Sequence, residues 1–170
     1  MWLLLPGCTN EDYRYCPAGL YVAFVGNNPK HNYPELVKRV SLYFYDGEGD
    51  LEADFHYERA DLRPQDLAAF VPQIPRGEYR LVAVVNCGID TETSGKETYS
   101  TLMTKLKVDE LDRKPADLFT AEKNVTVGVP GTEIPTETLA LRKHTNDITL
   151  KVRYDGYVAP AGATLEASLT

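Results

Sequence analysis

The chain has 170 residues, a formal net charge of −7 and 43% hydrophobic residues, with eleven Tyr and five Phe. That length and apolar content suit one domain of ordinary size with a proper core, and exclude a disordered chain. The acidic balance argues against nucleic acid as a partner, because binding phosphate needs a basic patch. Lys105-Leu106-Lys107 and Arg142-Lys143-His144 are flanked by acidic residues and read as solvated strand faces.

The first candidate site stands at the start. Trp2-Leu3-Leu4-Leu5 is far shorter than the roughly 20 apolar residues that span a bilayer. Leu5-Pro6-Gly7-Cys8 resembles a bacterial lipobox: an apolar residue, two small residues, then the cysteine that is acylated. Leu5 and Gly7 fit that pattern, and Pro6 is an unusual occupant of its position. On this reading 1–8 is a truncated lipoprotein signal and Cys8 is the lipidation site. The alternative makes Trp2 to Leu5 a core strand and Cys8 an ordinary thiol. Residues 9–17 are polar and acidic without apolar periodicity, and read as a tether. A short acidic tether after a lipidated cysteine resembles the surface-export signal of Bacteroidetes lipoproteins.

Beyond the tether, period-two alternation dominates. Gly19–Val25 is rich in β-branched and aromatic residues and predicts a strand, ended by Asn27-Asn28-Pro29. Val37–Tyr45 is the second, with Val40, Leu42 and Phe44 on one face and Arg39, Ser41, Tyr43 and Tyr45 on the other. Asp46-Gly47-Glu48-Gly49 predicts a tight turn, returning as Leu51–Tyr57. Arg59–Phe70 fits either a helical turn or a strand entry. Ile74-Pro75-Arg76-Gly77 reads as a turn into Glu78–Asn86, a strand apolar enough for burial on both faces, with Tyr79, Leu81, Ala83 and Val85 sharing one of them. Cys87–Thr98 reads as a loop, exposed along its polar part. Thr101–Val108 is a short strand or a helix end.

Further strands are expected at Asn124–Gly128, Thr136–Leu141 and Asp147–Tyr154, with a turn at Asp155-Gly156 and an alternating run starting at Ala163. About seven short strands at turn-punctuated spacing predict an all-β sandwich with Greek-key connections over residues 18–157. Residues 158–170 then read as a linker and the first strand of a second domain cut short.

Several segments combine in order. They are the lipobox, Cys16–Phe24, Val40–Asp46 with Gly49, Ile74–Ala83 with Asn86, Ala116–Phe119, and Leu139–Ile148. Together they resemble the fimbrillin anchor-subunit family of type V pili in Bacteroidetes. The resemblance runs from Cys8 to about Gly156. It implies a lipoprotein of the cell outer membrane with a transthyretin-like sandwich, followed in the family by a second sandwich domain. It also implies fimbrial subunits as partners, a membrane contact made through a lipid on Cys8, and joining of subunits by strand addition rather than chemistry.

Reactive residues are sparse. His31, His56 and His144 lie in separate segments without metal-ligand spacing. Asp46, Glu48, Asp50 and Glu52 alternate as a calcium loop does, but Tyr57 stands where such a loop needs its twelfth-position glutamate, so a hairpin is the better reading. Gly47 and Gly49 are followed by no phosphate-loop lysine, and no serine sits in a nucleophile elbow. Asn124-Val125-Thr126 matches a glycosylation triplet that a bacterial setting would not use this way. No acid–base or nucleophile constellation emerges, so no enzyme and no cofactor is expected. Cys16 and Cys87 either form a disulfide or remain thiols. The second functional reading is a carbohydrate-binding surface lipoprotein, with Tyr13, Tyr15, Tyr43, Tyr45 and Tyr57 as its candidate aromatic contacts.

Overall fold

The computed structural model describes residues 18–26, 33–107, 116–128 and 134–145. Its strands are β1 (Ala18–Gly26), β2 (Arg39–Tyr45), β3 (Leu51–Glu58), β4 (Ala69–Ile74), β5 (Gly77–Val85), β6 (Thr91–Ser94), β7 (Met103–Leu106), β8 (Phe119–Val127) and β9 (Thr136–Lys143). A single helical turn, α1 (Tyr33–Leu36), leads into β2. Seven strands form one sheet in the order β3-β2-β5-β8-β9-β1-β4, and β6 with β7 forms a separate hairpin.

The large sheet folds over at β9. The end of β9 pairs antiparallel with the start of β8, Phe119 opposite Lys143 and Thr120 opposite Arg142. The rest of β9 pairs in parallel with β1, from Tyr21 opposite Thr136 to Gly26 opposite Leu141. The result is the expected all-β sandwich, with β3-β2-β5-β8 as one layer and β9-β1-β4 as the other.

Alternation decides what lies between the layers. Leu20, Val22 and Phe24 of β1 meet Val40, Leu42 and Phe44 of β2, with Tyr79, Leu81, Ala83 and Val85 of β5. Phe119, Val125 and Val127 of β8 and Leu139 and Leu141 of β9 complete this core. Burial at this level contributes about 1.5–3 kcal/mol for each large apolar side chain.

The outer faces of β2 and β5 are also covered, as the apolar run in β5 predicts. Tyr43, Tyr45, Val82 and Val84 pack with Leu51, Cys87, Tyr99, Leu102 and Leu118 in a second cluster. The cover is the stretch expected to be an exposed loop. Its residues Thr91–Ser94 pair with Met103–Leu106 as a hairpin, and Thr91 is buried. Polar composition hid this because the hairpin contributes few apolar residues to its own shield.

Arg59–Phe70 resolves into a 3-10 turn, Arg59–Asp61, and an approach to β4, which the sequence reading did not separate from its turn. Leu67 takes a positive φ of 54° and its side chain enters the core, so no periodicity announces it. Strand β8 also begins earlier than expected, at Phe119. The expected strand at 147–154, the run from Ala163 and segments 1–8 and 9–17 lie outside the described residues.

Candidate functional site

A sheet folded into a sandwich has two sides where the edges of the layers meet, and these two differ. On the first side β3 and β4, the ends of the strand order, stand together. The Tyr57 hydroxyl donates to the Phe70 carbonyl at 2.7 Å. The exposed positions of β3 are Glu52, Asp54, His56 and Glu58. Arg39 pairs with Glu58 at 2.8 Å, and Asp54 with His56 at 3.3 Å and Lys96 at 3.5 Å. Strand β4 carries Pro72, which has no N–H to donate. Charges and proline are the usual guards of a sheet edge.

On the second side β8 and β9 are joined only at one end. There the ladder continues through the His144 amide, which donates to the Leu118 carbonyl at 2.8 Å. Lys143 pairs with Asp117 at 2.8 Å, both side chains largely buried, and Thr120 Oγ1 lies 2.6 Å from His144 Nε2. Beyond this clasp the strands part. From Ala121 to Val127, β8 pairs among the described residues with β5 alone. From Thr136 to Leu141, β9 pairs with β1 alone. Two backbone edges therefore face a common seam without a strand between them among the described residues. Core residues Val125, Val127 and Leu139 lie beside it.

One polar contact crosses this seam. Lys123 Nζ donates to Glu137 Oε2 at 2.6 Å. By alternation Lys123 shares the inward face of β8 with Ala121 and Val125, and Glu137 shares that of β9 with Leu139 and Leu141. Their side chains are 45% and 25% exposed, so the pair sits at the mouth of the core and not on an outer face.

The residues singled out in the sequence distribute differently. Cys8 and Cys16 lie outside the described residues, as do His31, Tyr13 and Tyr15. Cys87 is half-buried and unbridged among the described residues, with its Sγ 2.9 Å from Thr93 Oγ1. Tyr43 and Tyr45 are no aromatic platform: both are buried beneath the hairpin cover, 2% and 0% exposed. Burial pushes the Tyr45 phenol up to about 12 and its hydroxyl donates to the Lys96 carbonyl. Tyr57 is half-buried in the edge latch, and burial, reinforced by Asp61, pushes its phenol up to about 12. His56 Nδ1 lies 2.9 Å from Ser41 Oγ. Among the described residues no group of three or more metal-binding side chains occurs. The Asp46 carboxylate is engaged within the hairpin, where Oδ1 accepts the amides of Glu48 and Asp50, each at 2.9 Å. Gly49 closes that turn at a φ of 91°.

The seam itself escaped the sequence reading. Its strands were legible as strands, but the parting of β9 from β8 is a matter of topology. The one available signal was a charge, Lys123, at an otherwise apolar parity in β8.

A family model describing fimbrillin-A associated anchor proteins Mfa1 and Mfa2 matches residues 13–170. The chain belongs to this family. Solved structures with the same fold include the fimbrial anchor protein Mfa2 of Porphyromonas gingivalis, 22% identical, TM-score 0.59, covering 77% of this chain and 52% of that one. A candidate adhesin of Bacteroides thetaiotaomicron is 17% identical with a TM-score of 0.63, over 75% of this chain and 46% of its own. A candidate polysaccharide-binding protein of the same organism is 23% identical with a TM-score of 0.61, over 74% and 47%. The chain thus spans about half the length of these structures. A search of curated proteins returns no match. Membership in the anchor family accords with a fimbrial, envelope-associated and structural role.

Proposed function

We propose that this chain is the sandwich of a fimbrial anchor or minor subunit, held at the outer-membrane surface by a lipid on Cys8 and joined to neighbouring subunits by strand addition along β8. The observation that carries this reading is the β8 edge from Ala121 to Val127, which among the described residues pairs with β5 alone, in a member of the anchor family. An added strand there would extend the layer β3-β2-β5-β8 by one. Each new main-chain hydrogen bond contributes about 0.5–1.5 kcal/mol net, so several in a row give a durable joint. The apolar residues beside the seam supply pockets for alternate side chains of the guest.

A joint of that strength needs an anchor. An acyl chain contributes about 0.8 kcal/mol per buried methylene, and two or more chains on one cysteine hold a domain firmly at a membrane surface. Feeding labelled palmitate to cells that make the full-length product tests this half of the reading. Label on the wild type and none on Cys8→Ala supports it. An unlabelled wild type that fractionates with soluble proteins overturns it.

A further inference from the structure

We infer that a cleft on the outer face of β5 and β8 binds a neutral oligosaccharide, with Arg80 as its fixed hydrogen-bond donor. The inference goes beyond the strand-addition reading, since the cleft uses outward side chains of β8 and the proposed joint uses its backbone.

Strand register builds the floor. At one end of the sandwich Glu78 and Arg80 of β5 stand opposite Thr126 and Asn124 of β8, all four exposed. Neighbouring strands lie about 4.8 Å apart, and same-face neighbours along one strand about 7 Å. The four side chains therefore form a small grid, comparable to one pyranose ring. Two turns wall it. The Tyr99 amide donates to the Gly49 carbonyl at 2.8 Å, tying the 3-10 turn Tyr99–Thr101 to the turn at Asp46–Gly49. The cleft between them holds about 640 Å3, within the roughly 300–1,000 Å3 of small-molecule sites.

Arg80 is positioned before any ligand arrives. Its guanidinium lies over the Tyr99 ring, 4.3 Å from the centroid. Tyr99 donates its hydroxyl to Glu122 Oε2 at 2.9 Å and meets buried Tyr45 edge-on, with centroids 5.8 Å apart. The stack holds the guanidinium and leaves its N–H groups unused. Among the described residues Arg80 forms no hydrogen bond or ion pair, and neither do the side chains of Glu48, Glu78, Asn124 and Thr126 in the same cleft.

These groups select the ligand class. Arg80 only donates, Glu48 and Glu78 only accept, and Asn124 and Thr126 do both. A ligand that suits all of them donates and accepts at many points, as the hydroxyls of a sugar do. The guanidinium fork can donate to two vicinal hydroxyl oxygens at once. Two carboxylates against one guanidinium repel an acidic sugar. A zwitterionic peptide would have to shed the strong hydration of both its charges, whereas hydroxyls are less costly to desolvate.

The test titrates the 15N-labelled full chain with maltotriose, cellotriose and mannotriose, each to about 10 mM, which reaches millimolar affinities. Trigalacturonate and the dipeptide Ala-Ala serve as acidic and zwitterionic comparisons. At least one neutral trisaccharide is expected to shift the Arg80 Nε–H signal and the amides of Gly49, Ser100 and Asn124. Arg80→Lys, which keeps the charge and loses the fork, is expected to weaken that binding about tenfold. Asn124→Ala is expected to weaken it as well, and serves if Arg80→Lys loses its dispersed spectrum. The inference is overturned by an absence of shifts with all three neutral sugars, or by shifts confined to other residues. Equal or tighter binding of trigalacturonate or Ala-Ala at the cleft, or unchanged affinity in a folded variant, overturns it too. None of these outcomes bears on strand addition at the β8 edge.

Discussion

Tyr57 and Phe70 join the two ends of the strand order: the Tyr57 hydroxyl donates to the Phe70 carbonyl at 2.7 Å, tying β3 to β4. The bond links the layers on the guarded side of the sandwich. Tyr57→Phe keeps the ring and removes the bond, and is expected to cost about 1 kcal/mol. That corresponds to a fall in Tm of roughly 2–4 °C by calorimetry. An unchanged Tm would show that the latch contributes nothing.

Alkaline pH probes the same residue. Burial raises the Tyr57 and Tyr45 phenols from the ordinary 10.0 to about 12 in the folded chain. The unfolded chain then loses these protons first as pH rises. Their contribution is complete below pH 10.0 and is lost as pH climbs toward about 12. Denaturant titrations at several pH values are expected to show stability falling across that window, with a shallower fall in Tyr57→Phe. Equal slopes in the two proteins would contradict the assignment.

Asn86 is a polar tie within the core. Its Oδ1 accepts the amides of Lys38 at 2.7 Å and Arg39 at 3.3 Å, and its Nδ2 donates to the carbonyls of Leu36 at 2.8 Å and Asp117 at 2.7 Å. The backbone sits at a φ of 67°, which asparagine tolerates better than most residues. Asn86→Ala leaves part-buried backbone groups unpaired and is expected to destabilise by about 2–3 kcal/mol. Chemical denaturation measures it, and a loss below about 1 kcal/mol would mean the bonds are replaced by water.

Cys16 and Cys87 are expected to stay unbridged. Strand β5 runs from Gly77 to Val85, about 26 Å at roughly 3.3 Å per residue. Ala18 belongs to the Gly77 end, since Val127 pairs with Gly77 and a Cβ at Gly128 would lie 3.0 Å from Ala18. Cys87 follows the opposite end. Two residues of chain before Ala18 reach about 7 Å at most, and a disulfide needs Cα atoms within about that distance of each other. Alkylation under non-reducing conditions is expected to label Cys87. A Cys16–Cys87 cross-linked peptide in the digest would contradict this.

Much of the layer structure was legible in the residues. Val40, Leu42 and Phe44 alternate with Tyr43 and Tyr45, and each set lies on its own face as period two requires. The apolar run of β5 spoke correctly for burial on both faces. The sequence reading erred where a long-range partner decides the outcome. Thr91 and its neighbours are polar, yet they fold down over Tyr43 and Tyr45 and remove those rings from the surface. Strand β4 was hidden by Pro72 and by Leu67, whose backbone breaks the local pattern. The seam depends on β9 leaving β8 for β1, and apart from the charge of Lys123 in β8 no local signal marks that change of partner.

The β8 edge as the point of attachment is tested most directly by photo-crosslinking in assembled fimbriae. A photoreactive residue replaces Asn124 on β8 or Glu52 on β3 in the full-length protein. Irradiation is expected to yield a covalent adduct with another fimbrial subunit from position 124 and none from position 52. Adducts from 52 alone, or in equal yield from both, would contradict the assignment of the joint to β8.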